Sequence, residues 1–155
     1  MEEIRFNDSE RLRAKISDTF GPWSEPVEVT QEMINRFADV TGDHQWIHVD
    51  VERSKRESPF GGPVAHGFLT LSLLPRIGMP LGWQIVGARA TVNYGANKLR
   101  FVSPVPSGAR IHGRARLRAV EGKREGTLVT REVNLHVVGN DKPALIYESL
   151  TLYVG

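Results

Sequence analysis

The chain has 155 residues, 20 Lys and Arg against 18 Asp and Glu, and no cysteine. That length fits one domain. The near-balanced charge argues against nucleic acid as a partner, and the missing thiols exclude disulfides, thiolate metal sites and a cysteine nucleophile.

The N-terminus, MEEIRFNDSERLRAK, lacks the apolar stretch of a signal peptide. No run approaches the ~20 apolar residues of a membrane span. A cytoplasmic location is expected. Residues 7–17 predict a short amphipathic helix capped by Asn7, Asp8 or Ser9. Gly21, Pro22 and Pro26 mark irregular chain, and Val27 to Val29 a short strand. Thr30 is a good N-cap, Glu32 suits the first turn, and Met33, Ile34, Phe37 and Ala38 form an apolar stripe that ends at Gly42.

Asp43 and His48 follow, in the stretch TGDHQWIHVD. On one continuous helix the two side chains would diverge, at about 100° per residue. A stop at Gly42 lets a turn aim both at one spot. Asp and His have unperturbed pKa values near 3.9 and 6.5, so a neighbouring pair can accept a proton from water and return it. The bland reading is a polar turn after a helix. The same stretch holds His44 and His48 at the i, i+4 spacing of zinc proteases, but Gln45 stands where a glutamate base belongs. No metal site is expected.

Residues 51–63 are charged, then rich in Ser, Pro and Gly, and read as a loop or overhang. Arg53, Lys55 and Arg56 lie there, placed for a phosphate-bearing ligand. From Val64 to Ile77 the chain is apolar nearly all round and holds no carboxylate, the pattern of a buried helix. Its start, Pro63 to Gly67, exposes free N–H groups, and Gly67 has no side chain to block a ligand. Its amide is a candidate to hold a carbonyl or thioester oxygen. The alternative is that these glycines only allow tight packing. His66 is placed to buttress the turn.

The second half alternates with period two. Strands are expected over 88–94 and 98–102, around Gly95-Ala96-Asn97, then over 110–120, 128–138 and 144–154. Arg110, Arg114, Arg116 and Arg118 fall on one face and read as a solvated stripe. The sum is an α+β domain of five to six antiparallel strands curved around one apolar helix, with any uncovered surface left to a second subunit.

Three blocks resemble the MaoC-like hydratases, the hot-dog-fold family that includes (R)-specific enoyl-CoA hydratases: Gly42-Asp43-His44-Gln45-Trp46-Ile47-His48-Val49-Asp50, then Val64-Ala65-His66-Gly67-Phe68-Leu69, then Leu99-Arg100-Phe101 with Pro104, Val105 and Gly108. Gln45-Trp46 replaces the family's usual Asn-Pro and resembles the nodulation-protein-N-like branch. Pro75 stands where some hydratases carry a serine on the helix, with Ser72 one turn earlier. The resemblance spans about residues 28–154, leaving an N-terminal extension of about 1–27. It implies a hot-dog homodimer that binds acyl-CoA thioesters at the dimer interface. Coenzyme A belongs to the substrate, and no other cofactor is expected. By position, Asp43 and His48 activate water, Gly67 N–H holds the thioester oxygen, and His66, Gln45, Trp46, Ser72 and Arg100 contact substrate. The expected reaction is hydration of a trans-2-enoyl-CoA to a 3-hydroxyacyl-CoA. A hot-dog thioesterase and a non-catalytic acyl-CoA-binding protein remain as alternatives.

Overall fold

Five strands make the main sheet of the computed structural model, which describes residues 1–155. The chain order is β1 (Glu2–Arg5), α1 (Ser9–Arg13), β2 (Val27–Glu28), α2 (Gln31–Thr41), α3 (Trp46–Val49), α4 (Val51–Glu57), α5 (Gly67–Ser72), α6 (Leu74–Ile77), β3 (Trp83–Val86), β4 (Ala90–Phe101), β5 (Arg110–Lys123), β6 (Gly126–Val137) and β7 (Leu145–Val154). The sheet order is β2-β5-β6-β7-β4, antiparallel throughout. This is the expected α+β, hot-dog arrangement, a curled sheet with helices against its concave face. No helix is long and apolar enough to cross a membrane.

Alternation sets the faces. Ile111, Ala115 and Leu117 of β5 and Val133 and Leu135 of β6 are buried on the concave side. There Ile111, Leu135 and Leu145 pack with Leu69 of α5, Ile77 of α6 and Ile34 of α2. Each such fully buried side chain contributes about 1.5–3 kcal/mol. A second core joins Ile4, Phe6 and Leu12 to Leu117, Val129 and Tyr153. It is built by the N-terminal extension, where β1 pairs parallel with β3. Sequence reading missed both strands, because four residues carry too little period to stand out.

Several expectations change in detail. The 88–94 and 98–102 strands are one strand, β4, with register shifts between Asn93 and Gly95 and between Ala96 and Lys98. Bulges of this kind bend a strand without ending it. Residues 51–57 form a helix, α4, rather than loop, started by Asp50, whose carboxylate accepts from Arg53 N–H over 3.0 Å. The predicted 64–77 helix is two short ones. Val64 and Ala65 are extended, bridged to Pro106 and Val105, so helix begins only at Gly67. Pro75 lacks an N–H, and α6 restarts around it. Nor is the helix buried all round in the single chain: Phe68 is 61% exposed. The arginine stripe is covered in part. The segment before β2 runs along β5, and Phe20 and Trp23 lie under the Arg114 guanidinium at 4.8 and 4.5 Å.

Candidate active site

The site forms where α2 stops. Thr30 Oγ1 caps that helix by accepting from Met33 N–H over 3.2 Å. Gly42 ends it in the left-handed conformation, φ 81°, where a side chain would be strained. The chain then turns sharply. Asp43 Oδ1 accepts from Gln45 N–H over 3.3 Å, which leaves Oδ2 free. One turn of helix, α3, carries His48 into the interior.

Two buried histidines meet there. His48 Nδ1 lies 2.6 Å from the Val64 carbonyl oxygen, and His66 Nε2 lies 2.9 Å from the Asp43 carbonyl oxygen. A carbonyl only accepts, so each of these nitrogens carries the proton. That leaves His48 Nε2 and His66 Nδ1 as the ring nitrogens not committed to these bonds. The rings stack, centroids 3.9 Å apart, and Phe37 packs on His66 at 5.0 Å. Asp43 Oδ2 is 4.0 Å from His66 Nε2. The donor atoms of Asp43, His48 and His66 all lie within 4.8 Å of one another. Burial pushes the His48 pKa below its ordinary value, against the bond to Val64; His66 pushes the same way and Asp43 opposes. The net direction favours the neutral ring.

A cleft of about 300 Å³ opens beside these groups, lined by His48, Gly67, Thr70, Phe60 and Phe101 among others. Gly67 is the first residue of α5 and its N–H donates to no backbone acceptor. Gly67 also fits tightly: a Cβ there would stand 2.8 Å from the Phe101 ring. The amide without a backbone acceptor and the close packing on Phe101 are thus both present at this glycine.

The structure brings Asp43, His48, His66 and Gly67 to one place and leaves the other expected contacts elsewhere. Gln45 is exposed, and Trp46 is half-buried under the Arg53 guanidinium at 4.2 Å; neither lines the cleft. Arg100 is exposed on β4, opposite Ile146. Ser72 hydrogen-bonds the Phe68 carbonyl and borders a different cavity, at the far end of α5. Arg53 and Lys55 pair with Glu57 and Glu52 of their own helix. The His44–His48 spacing does not form a pair, since His44 sits on Asp39 at 2.9 Å. Asp43, His48 and His66 are the residues that offer ligands to a cation.

Sequence reading placed His66 as a buttress but missed what it holds, because a carbonyl partner leaves no trace in residue identity. It also missed Arg131, although the signal was present. Val129, Val133 and Leu135 alternate on one face, and Arg131 sits in the same period.

This fold and cleft define a hot-dog-fold hydratase/dehydratase class, and comparison with known proteins places the chain within it. It belongs to the MaoC-like family: the MaoC like domain matches residues 21–138. It is 47% identical over 132 residues to 3-hydroxyacyl-thioester dehydratase Z of Mycobacterium tuberculosis, covering 84% of this chain and 86% of that one. It is 43% identical over 150 residues to nodulation protein N of Rhizobium meliloti, covering 94% and 88%. Among solved structures, an (R)-hydratase from Pseudomonas aeruginosa superposes with TM-score 0.69 at 20% identity, covering 88% of this chain and 82% of that one. At that identity the likeness concerns fold.

Proposed function

We propose that this chain hydrates trans-2-enoyl-CoA thioesters to 3-hydroxyacyl-CoA, with (R) configuration, and catalyses the reverse dehydration. The observation that carries the reading is the convergence of Asp43 and His48 beside a cleft that His48 shares with the free Gly67 amide. The 47% identity to a 3-hydroxyacyl-thioester dehydratase supports it.

In this scheme a water donates one hydrogen bond to His48 Nε2 and one to Asp43 Oδ2. Its oxygen attacks C3 of the enoyl group. As the C3–O bond forms, the water's O–H bond breaks and its proton passes to the Asp43–His48 pair. Electron density moves to the thioester oxygen, where Gly67 N–H stabilises the enolate; one such donor is worth about 2.7–4 kcal/mol in a transition state. C2 then takes a proton from the pair, which returns to its starting state. The reaction is redox-neutral, and coenzyme A serves as the handle of the substrate.

The site is proposed to work in a homodimer. β4 is an edge strand of 12 residues and exposed along nearly all its length, with Val92 and Tyr94 at 46% and 55%. A long edge with apolar side chains invites pairing with another strand.

The test is direct. Purified protein is given crotonyl-CoA, and the loss of enoyl-thioester absorbance is followed with chiral analysis of the product. Formation of (R)-3-hydroxybutyryl-CoA is expected. Release of free thiol in place of hydration would support the thioesterase alternative, and tight binding without turnover the non-catalytic one.

A further inference from the structure

The concave face of β6 carries one charged residue where the pattern asks for an apolar one. Val129, Val133 and Leu135 are buried there, and Arg131 lies between them on the same face. A guanidinium remains charged at any physiological pH. Placing one on an apolar face is costly unless an anion or hydrogen-bond acceptors surround it. Arg131 has little of either. Its Nη2 donates to the Tyr153 hydroxyl over 2.9 Å, and its Nε is buried without an acceptor. The chain's ion pairs all use other groups.

Arg131 faces a cavity of about 670 Å³ between the concave sheet and α5–α6, bordered by Ser72, Asn93, Tyr147, Ser149 and Thr151. No acidic residue lines it. Half of its lining residues are apolar, and the rest include several uncharged hydrogen-bonding groups and one cation. The Ser72 and Ser149 hydroxyls already donate to the Phe68 and Arg131 carbonyls, but a hydrocarbon tail would leave the Arg131 guanidinium without an anion, at a cost. A carboxylate would form a charge-assisted hydrogen bond with the guanidinium. The cavity also lies at the right distance from the chemistry. Ser72 is five residues beyond Gly67 on the same helix, about 7.5 Å along its axis. A chain of several carbons with its thioester at the Gly67 amide is long enough to cover that distance.

We infer that this cavity receives the far end of the acyl chain and that Arg131 selects an acyl group ending in a carboxylate, so that the preferred substrate is a CoA monothioester of a 2-enedioic acid. The inference rests on the hydratase reading for the placement of the thioester. Its own test uses binding, so the two stand or fall separately.

Calorimetry on the intact protein compares saturated butyryl-, hexanoyl- and octanoyl-CoA with the CoA monothioesters of the dicarboxylic acids of the same lengths. At one or more lengths the carboxylate-ended ligand should bind at least about 10-fold more tightly, as expected of a charge-assisted pair. Arg131→Gln should erase that difference. Equal or weaker binding of the dicarboxylic series at every length overturns the inference, and needs only the wild-type protein should the variant fail to fold. A preference that survives Arg131→Gln overturns it too. Crotonyl-CoA turnover without a carboxylate preference sinks this inference alone, while a carboxylate preference with no hydration of either crotonyl-CoA or the carboxylate-ended enoyl-CoA sinks the hydratase reading alone.

Discussion

The imidazole of His66 lies against that of His48, ring centroids 3.9 Å apart, while its Nε2–H holds the Asp43 carbonyl at 2.9 Å. One residue thus touches both members of the proposed catalytic pair. His66 is 3% exposed, and its Nδ1 is buried without a partner. Loss of its donor leaves the Asp43 carbonyl unpaired and frees the turn that aims the carboxylate. His66→Leu is expected to lower stability by about 1–3 kcal/mol and to lower kcat more than it raises KM. His66→Gln, whose amide reaches the same carbonyl, should recover part of both. Urea denaturation and crotonyl-CoA kinetics on the two variants check this. Equal kcat in His66→Leu and wild type would make His66 a core histidine and nothing more.

Asp43 and His48 should each be indispensable and should not act additively. General acid–base groups contribute about 10²–10⁴-fold. Asp43→Asn and His48→Gln are expected to lose at least 10²-fold in kcat, and the double variant little more than either alone, since the pair handles one proton. Circular dichroism confirms that the fold is kept. Near-normal turnover in either single variant contradicts the assignment.

The limits of sequence reading lie in particular residues. Thr30, the α2 stripe and the Gly42 stop are local features, and all three are where the pattern puts them. Alternation set the faces of β5 to β7 because a one-residue slip would expose every core side chain. The His48–Val64 and His66–Asp43 bonds were not legible. They run from a side chain to a backbone carbonyl, and any residue at 64 or 43 supplies the same acceptor. β1 and β3 were lost for a different reason: each is four residues long and is held by its distant partner rather than by its own pattern. Arg131 was legible as an anomaly of period, but nothing local says what it faces.

Stability should fall as the medium is acidified, partly through histidines on the convex face. His112 stacks on Trp23 at 4.1 Å, and its pKa is lowered by burial first, then by His136 and Arg114. His48 is lowered as well, by burial first. A histidine whose folded pKa lies below its unfolded value of about 6.5 costs nothing above that pH. As pH drops below it, the unfolded chain takes up the proton first, and stability is lost until the folded pKa is passed. His44, raised by Asp39, works in the opposite sense: its contribution is present at low pH and lost as pH rises. His44 is exposed, so its effect is small. Melting temperatures at pH 7 and pH 5 should therefore differ less in His112→Phe, which keeps a ring for Trp23 and cannot titrate, than in wild type. An unchanged difference would place the acid sensitivity elsewhere.

The edge of β4 offers a test of the proposed assembly. Val92 and Tyr94 are exposed in the single chain on the outermost strand of the sheet. Tyr94→Glu puts a charge where an apolar side chain would be covered, while no buried contact of the single chain is lost. Sedimentation is expected to show a dimer for the wild type and a shift toward monomer for Tyr94→Glu, with activity falling alongside. A wild type that sediments as a monomer and still turns over substrate would show that the site is complete in one chain.

Gly67 allows packing and chemistry to be separated. A Cβ at this position would meet three carbons of the Phe101 ring at 2.8–2.9 Å. In a helix the Cβ bond tilts toward the N-terminus, so a methyl here stands at the end of α5 where the free amide faces the cleft. Gly67→Ala should cost about 1–3 kcal/mol from overpacking and lower turnover. Trimming the obstacle, in Gly67→Ala combined with Phe101→Ala, relieves the clash, and stability should recover relative to the sum of the single effects. Turnover should not recover with it, because the methyl still shades the amide from the thioester oxygen. Denaturation midpoints and kcat/KM on the two single variants and the double decide between the readings. Recovery of both quantities would mean that the glycine serves packing alone and that the oxygen is held elsewhere.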